Sequence, residues 1–149
     1  MNENFSLKQI DEMSGREMFC VERLRTDVFV TEQKITLPEL DDQDLDAVQV
    51  FLLNEDQTNA LAASRVFKDQ KLGWMFGRVA VNKAVRGQDY GKKMMIAIHK
   101  FLKEQKATEV TCHAQVSAQG FYEKMGYQVC GPEFDEGGIK HVLMKKKLV

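Results

Sequence analysis

The sequence predicts a mixed α/β fold. One domain would hold a central, mostly antiparallel sheet with one parallel βαβ unit and helices on both faces. Three observations carry this reading. Residues 74–116 run apolar strand, glycine loop, amphipathic helix and alternating strand, the order of a right-handed βαβ crossover. Strand-like runs at 47–53, 60–67 and 74–81 follow one another across short turn segments, which suits an antiparallel meander. A capped amphipathic helix precedes the meander, and a short helix and a hairpin follow the crossover.

Taken in order, Phe5, Leu7 and Ile10 suggest a first strand over 5–10. Ser14 and Glu17 form a capping-box pair. Met18, Val21, Leu24 and Val28 then recur at helical spacing. Residues 38–46 carry Glu39, Asp41, Asp42, Asp44 and Asp46 and are expected to form a solvated turn, the alternative being that 39–46 attracts a cationic amine. Residues 54–59 separate the strands 47–53 and 60–67, and Gly73 introduces the strand 74–81. The next helix, 92–105, gathers Met94, Met95, Ile98, Phe101 and Leu102 on one face, with His99 off that face and exposed. Val110, Cys112, Ala114 and Val116 alternate as a strand. Residues 118–125 form a short helix ended by Gly126. Strands at 127–130 and 139–143, joined by a turn over 136–138, complete the order β-α-β-β-β-α-β-α-β-β. Lys145, Lys146 and Lys147 form a solvated strand end.

The chain has 149 residues, enough for one domain spanning 1–149 with a real core. Its formal net charge of -1 offers no basic field for nucleic acid, and no apolar run reaches membrane-spanning length. Met1 to Asn4 show no basic and apolar leader pattern. Cys20, Cys112 and Cys130 are an odd, widely spaced set, so neither a disulfide framework nor a zinc site is expected. Reduced thiols in a cytoplasmic protein without a metal are expected.

The segment Arg86, Gly87, Gln88, Asp89, Tyr90, Gly91, Lys92 joins the strand and helix of the βαβ unit. A glycine loop opening into a helix presents unpaired backbone N–H groups and the positive end of the helix dipole, a site for phosphate. It is not a P-loop, because three residues separate the glycines and Lys93 stands where a magnesium-binding hydroxyl is required. It also lacks the GxGxxG spacing of a dinucleotide fold.

This segment resembles the acetyl-CoA loop of the GNAT N-acetyltransferase superfamily, Q/R-x-x-G-x-G/A, with Asp89 in the place of the middle glycine. Aspartate tolerates left-handed backbone better than most residues. Phe121-Tyr-Glu-Lys-Met-Gly-Tyr127 is similar to the superfamily's FYEKLGF segment, with Gln115 and Ala118 before it. Residues 25–33, the acidic stretch after them and residues 136–141 resemble a small bacterial ElaA-type branch. The resemblance spans nearly the whole chain and implies a GNAT-like domain that transfers an acetyl group from acetyl-CoA to a primary amine by direct attack.

By that resemblance, Arg86 to Lys92 hold the pyrophosphate, and Val79, Ala80 and Val81 pair with the pantetheine arm. Gln115 and Phe121 also join the cofactor site. Tyr122 is the general acid, because a phenol is protonated at neutral pH and can donate to a departing thiolate. Arg65 and Arg78 are either strand ion pairs or a recognition site for an acidic group on the acceptor. His113 and His141 line the acceptor site, flanked by Glu133 and Glu136, without an assigned base. The acceptor is a small-molecule or peptide amine, and analogy adds a homodimer through edge strands. A non-catalytic acyl-CoA sensor is the alternative, and a ping-pong route through Cys112 or Cys130 is the third reading.

Overall fold

The computed structural model describes residues 4–149, so residues 1–3, read above for a leader, lie outside it. β1 (Ser6–Lys8) is shorter than its alternation suggested. Ser14 caps α1 (Gly15–Arg25), accepting from the Glu17 amide while the Glu17 side chain accepts from the Ser14 amide. The helix then widens into a π-helical segment, Thr26–Glu32, which buries Val28 and Phe29. After a single turn, α2 (Gln43–Asp46), the chain forms β2 (Val48–Leu53), β3 (Ala60–Asp69) and β4 (Gly73–Val81). α3 (Tyr90–Glu104) crosses over to β5 (Glu109–Gln115), and α4 (Gln119–Glu123) leads to β6 (Gln128–Val129), β7 (Phe134–Glu136) and β8 (Ile139–Lys147).

The sheet order is β1-β2-β3-β4-β5-β8-β6, with β7 also on β8. All neighbours are antiparallel except β4 and β5. The end of the chain departs from the sequence reading. The turn at 136–138 joins β7 to β8, while β6 pairs with the far end of β8 at Gln128↔Lys145. Gly137 and Gly138, both at positive φ, form that turn, as few other residues can.

Strand alternation sends successive side chains to opposite faces. Val50, Ala62 and Val66 pack against Met94, Met95, Ile98 and Leu102 of α3. Phe51 and Ala63 pack against Cys20, Val21 and Leu24 of α1. Helices therefore cover both faces. Each fully buried aliphatic side chain of α3 contributes roughly 1.5–3 kcal/mol by leaving water. Among the described residues, no helix is long and apolar enough to cross a membrane.

Two irregularities in β4 shape the site. Between Ala63↔Ala80 and Arg65↔Gly77 the strand carries one extra residue, and Arg78 sits there at φ 53. An inserted residue inverts the alternation beyond it. Phe76 faces α3 before the bulge, whereas Val79 and Val81 face α3 after it and Ala80 faces α1. Then β4 meets β5 at a single pair, Met75↔Thr111. Beyond that pair the strands splay, leaving the 76–81 edge of β4 unpaired toward β5.

Candidate active site

The splay opens into a cavity of about 960 Å³, within the usual range for a small-ligand site. One end is the β4–α3 loop. Gly87 lies at φ 82 and Asp89 at φ 64, so both take the left-handed turn that brings the chain into α3. Asp89 is the N-cap residue, yet its side chain makes no capping hydrogen bond. An N-cap aspartate normally occupies a first-turn N–H. Here the Asp89 side chain does not take them, and the first turn carries Lys92 and no acid. Cations at the positive end of a helix dipole are unfavourable unless an anion joins them.

Arg86, Gly87, Asp89, Tyr90, Gly91 and Lys92 line the cavity, whereas Gln88 does not. Arg86 donates from Nε to the Val81 carbonyl at 3.1 Å and grips Glu32 through both terminal nitrogens at 2.7 and 2.8 Å. It thereby ties the loop to the π-helical segment. Gly91 lies under the Phe121 ring, where a Cβ would meet Phe121 Cζ at 3.4 Å.

Val79, Ala80 and Val81 form the unpaired wall, with Gln115 and Tyr122 also on the cavity. Gln115 donates to Gln33 at 2.8 Å, joining the end of β5 to the segment after the π-helix. Tyr122 is 5% exposed. Its ring packs among Phe76, Phe121 and Tyr127. Burial, with Cys112 adding to it, pushes the phenol's pKa well above the ordinary value. The Tyr122 hydroxyl therefore stays protonated at neutral pH.

The opposite end of the cavity corrects the reading of residues 38–46. Arg25 is 1% exposed. It donates to Glu39 at 2.6 Å and to Asp44 at 2.8 Å. Arg65 holds Asp41 at 2.6 Å and Asp44 at 3.0 Å. Arg78 reaches Glu39 at 3.2 Å and Asp41 at 3.5 Å. Burial raises the Asp44 carboxyl's pKa, but Arg25 and then Arg65 outweigh it and hold the group well below the carboxylate range. Burial dominates at Glu39, whose carboxyl stays raised despite Arg25 and Arg78. The acidic segment is a folded wall of three guanidinium groups and three carboxylates. Arg65 and Arg78 both line the cavity while bonded to those carboxylates.

The cavity is also lined by His113, Glu136 and His141, brought together from β5, β7 and β8. Glu136 was only a flanking residue in the sequence reading. It accepts from His113 Nδ1 at 3.1 Å and lies 3.7 Å from His141 Nε2. The His113 bond is the main reason its carboxyl is lowered. Glu133 does not line the cavity.

His99 also departs from expectation. It is half-buried, with Nε2 2.7 Å from the Tyr127 hydroxyl. Burial, then Lys146 and Lys103, lowers its pKa to about 4. Among the described residues, no cluster of His, Cys, Asp or Glu could hold a metal ion.

A family model for the acetyltransferase (GNAT) domain matches residues 11–148. A UPF0039 protein of Schizosaccharomyces pombe is 32% identical over 149 residues, covering 99% of each chain. Protein ElaA of Escherichia coli is 27% identical over 150 residues, covering 93% of this chain and 92% of that one. Among solved structures, an acyl-CoA N-acyltransferase from Pseudomonas aeruginosa superposes with a TM-score of 0.86 at 26% identity, over 96% of this chain and 98% of that one. The crystal structure of Escherichia coli ElaA gives a TM-score of 0.85 at 25% identity, with the same coverage. The domain-wide match, the ElaA relatives and the loop-and-cleft architecture agree: the chain belongs to the GNAT acetyltransferase family, whose chemistry is acyl transfer from an acyl-CoA, and within it to the ElaA-type branch.

Proposed function

We propose that the protein transfers an acetyl group from acetyl-CoA to a primary amine by direct attack in a ternary complex. The observation that carries this reading is the uncapped start of α3. Asp89 turns through the left-handed region without occupying the first-turn N–H groups, which lie on a cavity bounded by an unpaired strand edge. Those N–H groups, with Gly87, Gly91 and Lys92, suit a pyrophosphate. The free edge at Val79, Ala80 and Val81 suits an extended amide-bearing arm, and an N–H near Val81 would face the acyl oxygen. Tyr122 holds the proton that the departing sulfur needs.

The arginines on the acceptor side already have carboxylate partners. An acidic acceptor would have to displace them, so the acceptor we favour is a small-molecule or peptide amine without such a group. Cys112 lies on the cavity, but burial pushes its thiol pKa up to about 12, which speaks against a thiolate nucleophile there. Three free cysteines fit a cytoplasmic setting.

The test is a thermal-shift titration with CoA, followed by thiol release from acetyl-CoA across a panel of amines. Saturating CoA should raise the melting temperature, since a ligand that binds only the folded state stabilises it. Amine-dependent thiol release should follow. No shift with CoA would overturn the donor site. A shift without release on any amine would favour a non-catalytic acyl-CoA sensor.

A further inference from the structure

We infer that His141 takes the proton from the acceptor amine, with Glu136 and His113 holding it in place. This rests on the amine-acetylation reading above. His141 is 5% exposed yet lies on the cavity. Its Nδ1 is 2.8 Å from the Ile139 carbonyl. A carbonyl only accepts, so Nδ1 carries the hydrogen, and in the neutral ring the lone pair is on Nε2. That atom lies 3.7 Å from a Glu136 carboxylate oxygen.

Glu136 is held by His113 Nδ1–H at 3.1 Å, and the Phe134 ring contacts both imidazoles, stacked on His141 and edge-on to His113. The bond that fixes His141's tautomer is thus separate from the carboxylate that stabilises its charged form. The register pairs His141 with Gln115, setting the imidazole at the splayed end of β5, beside the proposed acyl site. Of the other charged groups near this cluster, Arg78 from β4 favours ionised Glu136, and the Asp69 carboxyl from β3 is lowered in part by His113.

The proton count closes. The ammonium gives one proton to His141 Nε2, and the freed lone pair forms the C–N bond as the C–S bond breaks. The nitrogen loses its second proton, Tyr122 supplies one to the sulfur and recovers one, and one proton leaves to solvent per turnover.

The experiment compares wild type, His141→Gln and Glu136→Gln on two probes. One is a primary alkylamine drawn from the panel. The other is hydroxylamine, which is largely unprotonated at neutral pH and needs no base to free its lone pair. His141→Gln should lose roughly 10²–10³ in kcat on the alkylamine and abolish the acidic limb of its pH profile. It should lose less than tenfold on hydroxylamine. Glu136→Gln should keep the limb but move it to lower pH, because the imidazolium loses its carboxylate. Nitrogen-15 NMR of wild type should show His141 as the neutral Nδ1–H tautomer near pH 8, a readout independent of turnover. Equal losses on both probes, an unmoved limb in either variant, or the Nε2–H tautomer would each overturn the assignment. Absence of wild-type turnover on every amine would instead overturn the acetylation reading, and this inference with it.

Discussion

Replacing Arg25 with methionine tests whether the acidic segment is structural. The guanidinium makes four bonds: Nε to Glu39 Oε2 at 2.6 Å, Nη1 to Asp44 Oδ1 at 2.8 Å, and Nη2 to the Glu39 carbonyl at 2.7 Å and Asp44 Oδ2 at 3.2 Å. Methionine fills similar space and removes the charge, leaving two largely buried carboxylates with fewer partners. Breaking a buried pair from one side costs ~3–5 kcal/mol, far more than the net worth of an exposed pair. For a domain of this size that is a melting temperature lower by roughly 10–15 °C.

The assay is urea unfolding at pH 8 and pH 4. Orphaned carboxylates have raised pKa values in the folded state, so their protonation relieves the penalty, and the loss should be smaller at pH 4. Adding Glu39→Gln and Asp44→Asn to Arg25→Met should recover part of the stability at pH 8. A loss under about 1 kcal/mol with an unchanged denaturant slope would mean that these acids are a solvated turn after all.

Three further outcomes follow from the same geometry. Asp89→Gly keeps the left-handed turn and removes a carboxylate beside the proposed pyrophosphate. CoA should bind about fivefold tighter by calorimetry, on the order of 1 kcal/mol for a screened charge pair; weaker binding would give the Asp89 side chain a direct role in holding the ligand. Tyr122→Phe should cut kcat by roughly 10²–10³ with CoA affinity unchanged, and an unaltered kcat would remove the phenol from the reaction. His99 has a folded pKa of about 4, below its unfolded value. The folded state thus binds fewer protons, so this contribution to stability is present above about pH 6.5 and lost as pH falls toward 4. His99→Phe should flatten that stretch of the urea-midpoint profile, and a profile as steep as that of wild type would assign the acid limb elsewhere.

The features legible in the sequence were local ones. The Ser14 and Glu17 cap, the α3 face and the strand–loop–helix order are written within a few residues of each other, so spacing alone reveals them. The acidic segment was misread because its partners lie far away in sequence: Arg25 is 19 residues before Asp44, and Arg65 is 24 residues after Asp41. A run of aspartates looks solvated until the fold brings guanidinium groups to it. The β4 bulge was silent for a different reason. Arg78 occupies a left-handed position usually marked by glycine, so no residue type announced the extra residue. His113, Glu136 and His141 meet only because β7 folds back on β8, and the neighbouring histidines gave no hint that the glutamate would stand between them.

The single β4–β5 rung makes the sheet two plates with a seam. β1 to β4 form one plate and β5 to β8 the other, bridged in the sheet at Met75 and Thr111. Beside that rung the plates are joined by the Thr111 hydroxyl donating to the Trp74 carbonyl, by ring packing, Phe76 against Tyr122 and Tyr127, and by α3. A ligand lying in the splay and bonding to β4 would act as a removable strand and stitch the plates together. Backbone amides on the open edge of β4 should then exchange with deuterium quickly in the free protein and slowly once CoA is bound. Such a protection pattern would locate the donor residue by residue, without any need to know the acceptor.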